Sequence, residues 1–278
     1  MKLLLCPGTC YAASTPMFYT LAYYNKYCHT GHKKENPYLW GLYLEQIKDV
    51  KRILRQTSQL KAKLNEIGNG HVRKNHIPMP NDFSLAEVWK SPFSIEKYCE
   101  YYERVWDIVK DHEYESVADF STALIGISEQ FLHSISSTLL KHFDVKVIIM
   151  FRDPVRRFWS HRGDIDAKLD NRVMYAQNYQ KFCNVFGKEN VYPVIMEDFW
   201  SKEISGLCEF LNYDIKEISE NVYWPITDTL EKYPSLKDQW LEEKELPSNY
   251  IPILRKKLNS VYLQFEEVFG KIPERWTV

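Results

Sequence analysis

The chain of 278 residues carries 36 Lys and Arg against 37 Asp and Glu, which leaves a formal net charge of −1 at pH 7. This balance argues against a strongly basic nucleic-acid-binding protein and against an acidic disordered tail. Aromatic residues make up 15% of the chain and apolar residues 45%. That content excludes a disordered chain and is enough to bury one sizeable core.

Apolar runs and cysteines indicate where such a chain would reside. The opening apolar run, residues 3–6, is shorter than the roughly 7 to 15 apolar residues of a signal peptide. No later run approaches the roughly 20 apolar residues of a membrane helix. The six cysteines are scattered, without the paired spacing of metal ligands. We therefore expect a cytoplasmic protein with free, mostly buried thiols and no membrane partner.

The first part of the chain predicts a strand, a loop of small residues and a helix. The strand covers residues 3–6, and the helix covers residues 16–27 with Pro16 near its start, where a proline is tolerated. Residues 41–67 carry apolar side chains at helical spacing and predict an amphipathic helix or helix pair. The Pro- and Asn-bearing residues 68–92 are our candidate for a mobile lid or linker. Ser94 then caps a second helix.

The second part alternates strands with helices. We predict strands at residues 116–120, 145–151 and 191–196, and helices at residues 128–142, 172–186, 204–211 and 249–269. A further helix follows residues 152–154 and runs through His161. Ser128 is the expected N-cap of the helix at residues 128–142. Residues 145–151 form a nearly continuous apolar run, as in a strand that helices cover on both faces. This alternation predicts an α/β fold with a parallel sheet flanked by helices.

Two strand-to-helix turns carry polar groups suited to anions. Residues 8–15 offer backbone amides and hydroxyls, while Arg152 offers a guanidinium with Ser160 eight residues later. Ligands of parallel sheets bind at the carboxyl ends of the strands, so the two turns together indicate a ligand with two separate anionic groups. In the alternative interpretation, Arg152 pairs with a carboxylate and Ser160 is an ordinary helix residue.

The second turn resembles a known family. Residues 145–161, VKVIIMFRDPVRRFWSH, are similar to the strand and helix that bind the 3′-phosphate in sulfotransferases using 3′-phosphoadenosine 5′-phosphosulfate (PAPS). The shared pattern is an apolar strand, Arg-(Asn/Asp)-Pro, a Ser eight residues after the Arg, and often a following His. Further segments resemble the family in the same order: residues 8–15, 119–121, 191–199 and 270–276.

The resemblance implies a fold, a reaction and a set of binding residues. The fold is a single domain over residues 1–278, P-loop-like and nucleotide-binding, with a helical insertion at about residues 41–115. The reaction moves a sulfuryl group from PAPS, as co-substrate and without a metal, to a hydroxyl of a carbohydrate or small-molecule acceptor. The residues implied to bind PAPS are Gly8, Ala12, Ala13, Ser14, Thr15, Arg152 and Ser160.

Residues 28–39 resemble the segment in which carbohydrate sulfotransferases carry their catalytic base. By position, Glu35 would take the proton of the acceptor hydroxyl. His32 is a competing base because its ordinary pKa is near neutrality. Two other interpretations remain: Glu35 is a solvated carboxylate, or His29, His32 and Glu35 form a metal site.

One departure from the family concerns the first loop. The family's loop lysine falls on Tyr11 and its loop glycine on Ala13. Tyrosine carries no positive charge at neutral pH, so either Lys33 or Lys34 supplies the cation or the protein binds PAPS with impaired turnover. A third possibility, an ATP-dependent phosphotransferase, would need Mg²⁺, and the sequence lacks the Gly-Lys-Ser/Thr loop of that class.

Overall fold

The computed structural model describes most of the chain outside two long stretches. The described residues are 1–8, 17–24, 26–31, 36, 38–46, 94–162, 164–166, 168–169, 171–200, 204–214 and 246–276. The candidate lid at residues 68–92 lies outside them, and so do residues 47–67 of the amphipathic segment predicted at residues 41–67.

Within the described residues, five parallel strands form one sheet in the order β2-β3-β1-β4-β5. Their bounds are Lys2–Leu5 (β1), Cys28–His29 (β2), Ser116–Asp119 (β3), Asp144–Phe151 (β4) and Val191–Ile195 (β5). β1 lies at the centre, and Leu5 pairs with Asp119 on one side and Val147 on the other. Since all the pairs are parallel, the carboxyl ends of the strands lie along one edge of the sheet.

Helices connect the strands. Their bounds are Tyr38–Gln46 (α1), Ile95–Val109 (α2), Glu129–His142 (α3), Pro154–Arg162 (α4), Tyr175–Phe186 (α5), Met196–Trp200 (α6), Ser205–Leu211 (α7), Ile251–Lys257 (α8) and Asn259–Phe269 (α9). A π-helical stretch covers Tyr19–Tyr24, and short 3₁₀ turns include Thr122–Gly126 and Glu274–Trp276. In the described part of the chain we find no helix with the length and apolarity needed to cross a bilayer.

Apolar side chains bury both faces of the sheet. Leu3 and Leu5 belong to a core shared with α2, α3, α5, α8 and α9, whereas Leu4 belongs to a second core shared with the π-helical stretch and α7. This division follows from the alternation of side chains along a strand. The same alternation divides β4, where Ile149 faces the first core and Ile148 the second. The predicted α/β class, a parallel sheet flanked by helices, is confirmed.

Two predicted helix caps are present. The Ser94 hydroxyl accepts a hydrogen bond from the Lys97 amide at 3.2 Å, and the Ser128 hydroxyl accepts one from the Phe131 amide at 3.3 Å. Each bond satisfies an N–H group of the first turn that has no partner within its helix.

The prediction of one long helix over residues 249–269 is wrong. The chain forms α8 and α9, which meet at Leu258, whose backbone (φ −99°, ψ 6°) leaves the helical region. Residues 253–269 contain neither Gly nor Pro, so no helix-breaking residue accounts for the interruption. Leu258 is fully buried at this junction. The helix predicted from residue 172 also begins later, at Tyr175, after a 3₁₀ turn at Asn171–Val173.

Candidate functional site

The carboxyl ends of β1 and β4 bring the starts of the two predicted anion-binding turns together. Beyond the end of β1, Gly8 forms an isolated parallel bridge with Met150, and Arg152 follows Met150 by two residues. The start of the small-residue loop therefore lies beside the start of the Arg-Asp-Pro turn. Of the residues implied to bind PAPS, the structure describes Gly8, Arg152 and Ser160.

Arg152 and Ser160 are in direct contact. The guanidinium Nη1 of Arg152 donates a hydrogen bond to Ser160 Oγ at 3.2 Å across the first turns of α4. Because Ser160 Oγ accepts this bond, the Ser160 hydroxyl can donate its own proton to a different acceptor. A guanidinium carries five N–H donors. The pair therefore presents a combination of donors suited to an anionic oxygen.

The backbone of this turn is held at three points. Tyr175 donates a hydrogen bond from its hydroxyl to the carbonyl of Arg152 at 2.9 Å, and the amide of Asp153 donates to Glu197 Oε1 at 3.0 Å. The Asp153 carboxylate caps α4 by accepting from the Arg156 amide at 2.9 Å. Its other oxygen accepts from the Tyr262 hydroxyl at 3.0 Å. These contacts fix the direction in which Arg152 leaves β4.

Burial dominates the electrostatics of the turn. Arg152 is 5% exposed. Burial lowers the pKa of its guanidinium, and the nearby Glu197 carboxylate opposes that effect. Burial likewise raises the pKa of Asp153, while the hydrogen bonds from Arg156 and Tyr262 oppose the change. The turn thus contains a buried cation and, in Asp153, a buried carboxyl group whose hydrogen bonds offset part of the effect of burial.

Sequence reasoning did not identify Glu197 and Trp276 as parts of this site. Trp276, which is fully buried, donates from its indole Nε1 to Glu197 Oε2 at 2.9 Å. Arg275 Nη1 donates to the carbonyl of Glu197 at 3.0 Å. The available signal was the family resemblance of residues 191–199 and 270–276, which gave neither residue a role.

A second buried polar cluster ends β3, the neighbour of β1. Asp119 Oδ1 accepts from the amides of Ser121 at 2.9 Å and Asn36 at 3.2 Å, and Oδ2 accepts from the Tyr98 hydroxyl at 3.1 Å. The Ser121 hydroxyl also contacts Oδ1. Burial nevertheless raises the pKa of Asp119 to about 7. Asn36, the residue after Glu35, is therefore anchored at the edge of the sheet that carries Arg152.

The remaining predicted site residues lie outside the described part of the chain. They are Tyr11, Ala12, Ala13, Ser14, Thr15, His32, Lys33, Lys34 and Glu35. His29, from the alternative metal motif, is described and fully buried. Its Nδ1 accepts a hydrogen bond from the Gly31 amide at 3.0 Å, and its ring lies edge-on to Tyr114.

Comparisons with known proteins identify the fold. No family model matches the chain, and no curated protein is similar to it in sequence. A sulfotransferase from Alicyclobacillus acidocaldarius superimposes on 100% of this chain and 99% of its own, with a TM-score of 0.53 and 14% identity. The sulfotransferase domain of the Synechococcus PCC 7002 olefin synthase covers 92% of this chain and 94% of its own, with a TM-score of 0.46 and 15% identity. The chain is thus similar over its full length to a bacterial sulfotransferase, and the fold expected from residues 145–161 is confirmed.

Proposed function

We propose that this protein transfers a sulfuryl group from PAPS to a hydroxyl of a carbohydrate or small-molecule acceptor. The observation that carries the proposal is that the two turns start side by side at one edge of the sheet. There the bridge between Gly8 and Met150 lies beside the contact between Arg152 and Ser160. The sulfotransferase fold supports the same assignment.

The described residues fit the 3′-phosphate of PAPS. The guanidinium of Arg152 supplies positive charge and several N–H donors, and Ser160 supplies a hydroxyl whose oxygen already accepts from that guanidinium. Because Arg152 is nearly buried, its attraction to a phosphate is screened less than that of a surface arginine. This pair would distinguish PAPS from ATP, which has no 3′-phosphate.

The remaining roles follow from the resemblance and belong to the proposal. Backbone amides of residues 12–15 and the hydroxyls of Ser14 and Thr15 would hold the 5′-phosphosulfate. Glu35, or His32 in its place, would accept the proton of the acceptor hydroxyl. Sulfuryl transfer, like phosphoryl transfer, depends chiefly on alignment and on stabilising the charge of the leaving group. PAPS supplies the sulfuryl group, and the protein supplies donors and a base.

Tyr11 favours a second candidate function, a PAPS-binding protein with impaired turnover. A neutral phenol does not supply the positive charge that the family's lysine places in this loop. The two candidates share the nucleotide site and differ in catalysis, so binding and turnover have to be measured separately.

Calorimetric titration with adenosine 3′,5′-bisphosphate, beside ATP with Mg²⁺, tests the nucleotide site. We expect binding of the bisphosphate, no comparable binding of ATP, and a loss of about 10- to 100-fold in Arg152→Ala, because a charge-assisted contact contributes about 1.5 to 3 kcal/mol. Arg156→Ala is the matched control, since it removes the same charge from the exposed side of α4. Tighter binding of ATP than of the bisphosphate would favour the phosphotransferase interpretation instead.

Turnover is measured with labelled PAPS and a panel of carbohydrate and phenolic hydroxyl acceptors. Sulfated product from the native chain supports the enzyme, whereas binding without product supports the impaired alternative. Tyr11→Lys then separates the two further, because restoring the loop cation should raise turnover if its absence is limiting. If the native chain does not bind the bisphosphate, the proposal is wrong.

A further inference from the structure

We infer that Trp276 is a positioning residue for Arg152. With the amide of Asp153, its indole N–H holds the Glu197 carboxylate, and so prevents that carboxylate from competing with an anionic ligand for the guanidinium. The inference rests on the proposed function, since the ligand is the 3′-phosphate placed on Arg152 above.

Both oxygens of Glu197 have a donor. Oε1 accepts from the Asp153 amide at 3.0 Å, and Oε2 accepts from Trp276 Nε1 at 2.9 Å. Asp153 is the residue directly after Arg152, so the carboxylate is attached to the backbone of the same turn. The two donors come from separate parts of the chain and fix the carboxylate from two directions.

The position of this carboxylate matters because it acts on the guanidinium. Among the charged groups that shift the pKa of the Arg152 guanidinium, Glu197 has the largest effect and raises it. A buried carboxylate oxygen that loses its hydrogen-bond donor raises the free energy of the folded state. The carboxylate is therefore stabilised if it moves to another donor. The Arg152 guanidinium is a cationic donor within the same turn. Glu197 would therefore become an internal competitor of the bound phosphate if Trp276 no longer held it.

Packing keeps the indole in place. The Trp276 ring lies 4.5 Å from the ring of Phe265 and 6.0 Å from that of Tyr175, measured between centroids. Arg255 Nη2 donates to the carbonyl of Trp276, which ties the turn Glu274–Trp276 to α8. Tyr175 in turn donates to the carbonyl of Arg152. The aromatic cluster that contains Trp276 and Tyr175 thus holds both the Glu197 carboxylate and the backbone of Arg152.

The test compares bisphosphate affinities of variants that keep the aromatic packing. In Trp276→Phe the N–H donor is lost, and we expect the affinity for adenosine 3′,5′-bisphosphate to fall about tenfold. Adding Glu197→Gln to that variant removes the competing charge, so the double variant should bind at least as tightly as the native chain. A purely structural role for Trp276 would not give this recovery.

Phe186→Leu is the matched control because it loosens the packing against Phe182 in the same core and leaves the ring contacts and the indole N–H of Trp276 in place. It should lower the melting temperature and leave the affinity within about twofold of native. If Trp276→Phe fails to fold, incorporation of 3-benzothienylalanine at position 276 keeps the ring shape and removes the N–H. That replacement should weaken binding by a similar factor.

The outcomes separate this inference from the proposed function. Absence of bisphosphate binding by the native chain contradicts the proposed function and with it the ligand assumed here. Native binding that Arg152→Ala abolishes, together with unchanged affinity in the folded position-276 variants, overturns the inference alone. Weakened binding that Glu197→Gln fails to recover also overturns it, since Trp276 would then act only through packing.

Discussion

Asp119 should make the stability of this protein fall as the pH rises from about 4 to about 7. The carboxyl is fully buried, and burial raises its pKa to about 7 from an ordinary value of 3.8. Between these values the folded state keeps a proton that the unfolded state loses. The unfolded state therefore binds fewer protons over this range, and the free energy of unfolding decreases with pH until it levels off above about 7.

The size of the effect follows from the two pKa values. Each unit of pKa difference corresponds to about 1.4 kcal/mol, so the full loss between pH 4 and pH 8 is about 4 kcal/mol. About 3 kcal/mol of it falls between pH 5 and pH 8, where the measurement is practical. That is a large fraction of the 5 to 15 kcal/mol typical of a folded domain.

Asp119→Asn removes the titration and keeps the shape of the side chain. The carboxamide oxygen can accept from the amides of Asn36 and Ser121, and the Tyr98 hydroxyl can accept from its NH₂ group. Urea unfolding of both proteins at pH 5, 6, 7 and 8 gives the difference in unfolding free energy. We expect that difference to move by about 3 kcal/mol in favour of the variant as the pH rises.

Asp111→Asn, on the exposed surface, controls for the loss of a carboxyl group and should leave the pH dependence unchanged. Parallel curves for the native protein and Asp119→Asn would refute the reasoning. If the native protein instead gains stability relative to the variant from pH 5 to pH 8, the sign of the predicted pH dependence is wrong. The hydrogen-bond donors around Asp119 would then outweigh its desolvation.

Three further predictions concern the scaffold, each checked by urea unfolding. Lys181→Met should lower the unfolding free energy by about 1 to 3 kcal/mol, since Lys181 Nζ donates to the carbonyls of Ile125 at 2.7 Å and Ile127 at 2.8 Å. An unchanged unfolding free energy would contradict a stabilising role for these bonds. Ser94→Ala and Ser128→Ala should each cost about 1 kcal/mol as matched cap deletions, and their Thr counterparts should recover most of it. Gly31→Ala should destabilise strongly, because φ is +66° and the added Cβ would lie 2.1 Å from the Tyr101 hydroxyl. Adding Tyr101→Phe should recover only a small part of the loss, because Cζ of the ring would still lie 2.8 Å from the added Cβ and the positive φ remains.

Elements with a strong local signal could be predicted from the sequence. β4 follows from an apolar run bounded by Arg-Asp-Pro, and the start of α2 follows from Ser94 before a helical apolar pattern. β2 was missed because two residues, Cys28 and His29, carry no periodicity, and the strand exists only through pairing with β3. The interruption at Leu258 could not be predicted, because no Gly or Pro marks it in the sequence.

The same distinction applies to the site. The spacing of Arg152 and Ser160 is local, and their contact across the first turns of a helix could be expected from it. Glu197 and Trp276 are 79 residues apart, and their hydrogen bond depends on how α9 and the final turn pack against the sheet. Contacts of this kind arise from tertiary structure, which a single sequence does not encode in any short pattern.

The order of strands in the sheet also affects how the chain folds during synthesis. β1 ends at Leu5, yet the strands that flank it begin at Ser116 and Asp144. At about 5 to 20 residues per second, a ribosome takes on the order of six to twenty seconds after making β1 to reach the end of β3, the first of these flanking strands. For that time the apolar strand has no sheet to join, so its aggregation or its capture by a chaperone competes with folding. We expect the yield of folded protein in cells to depend on that interval.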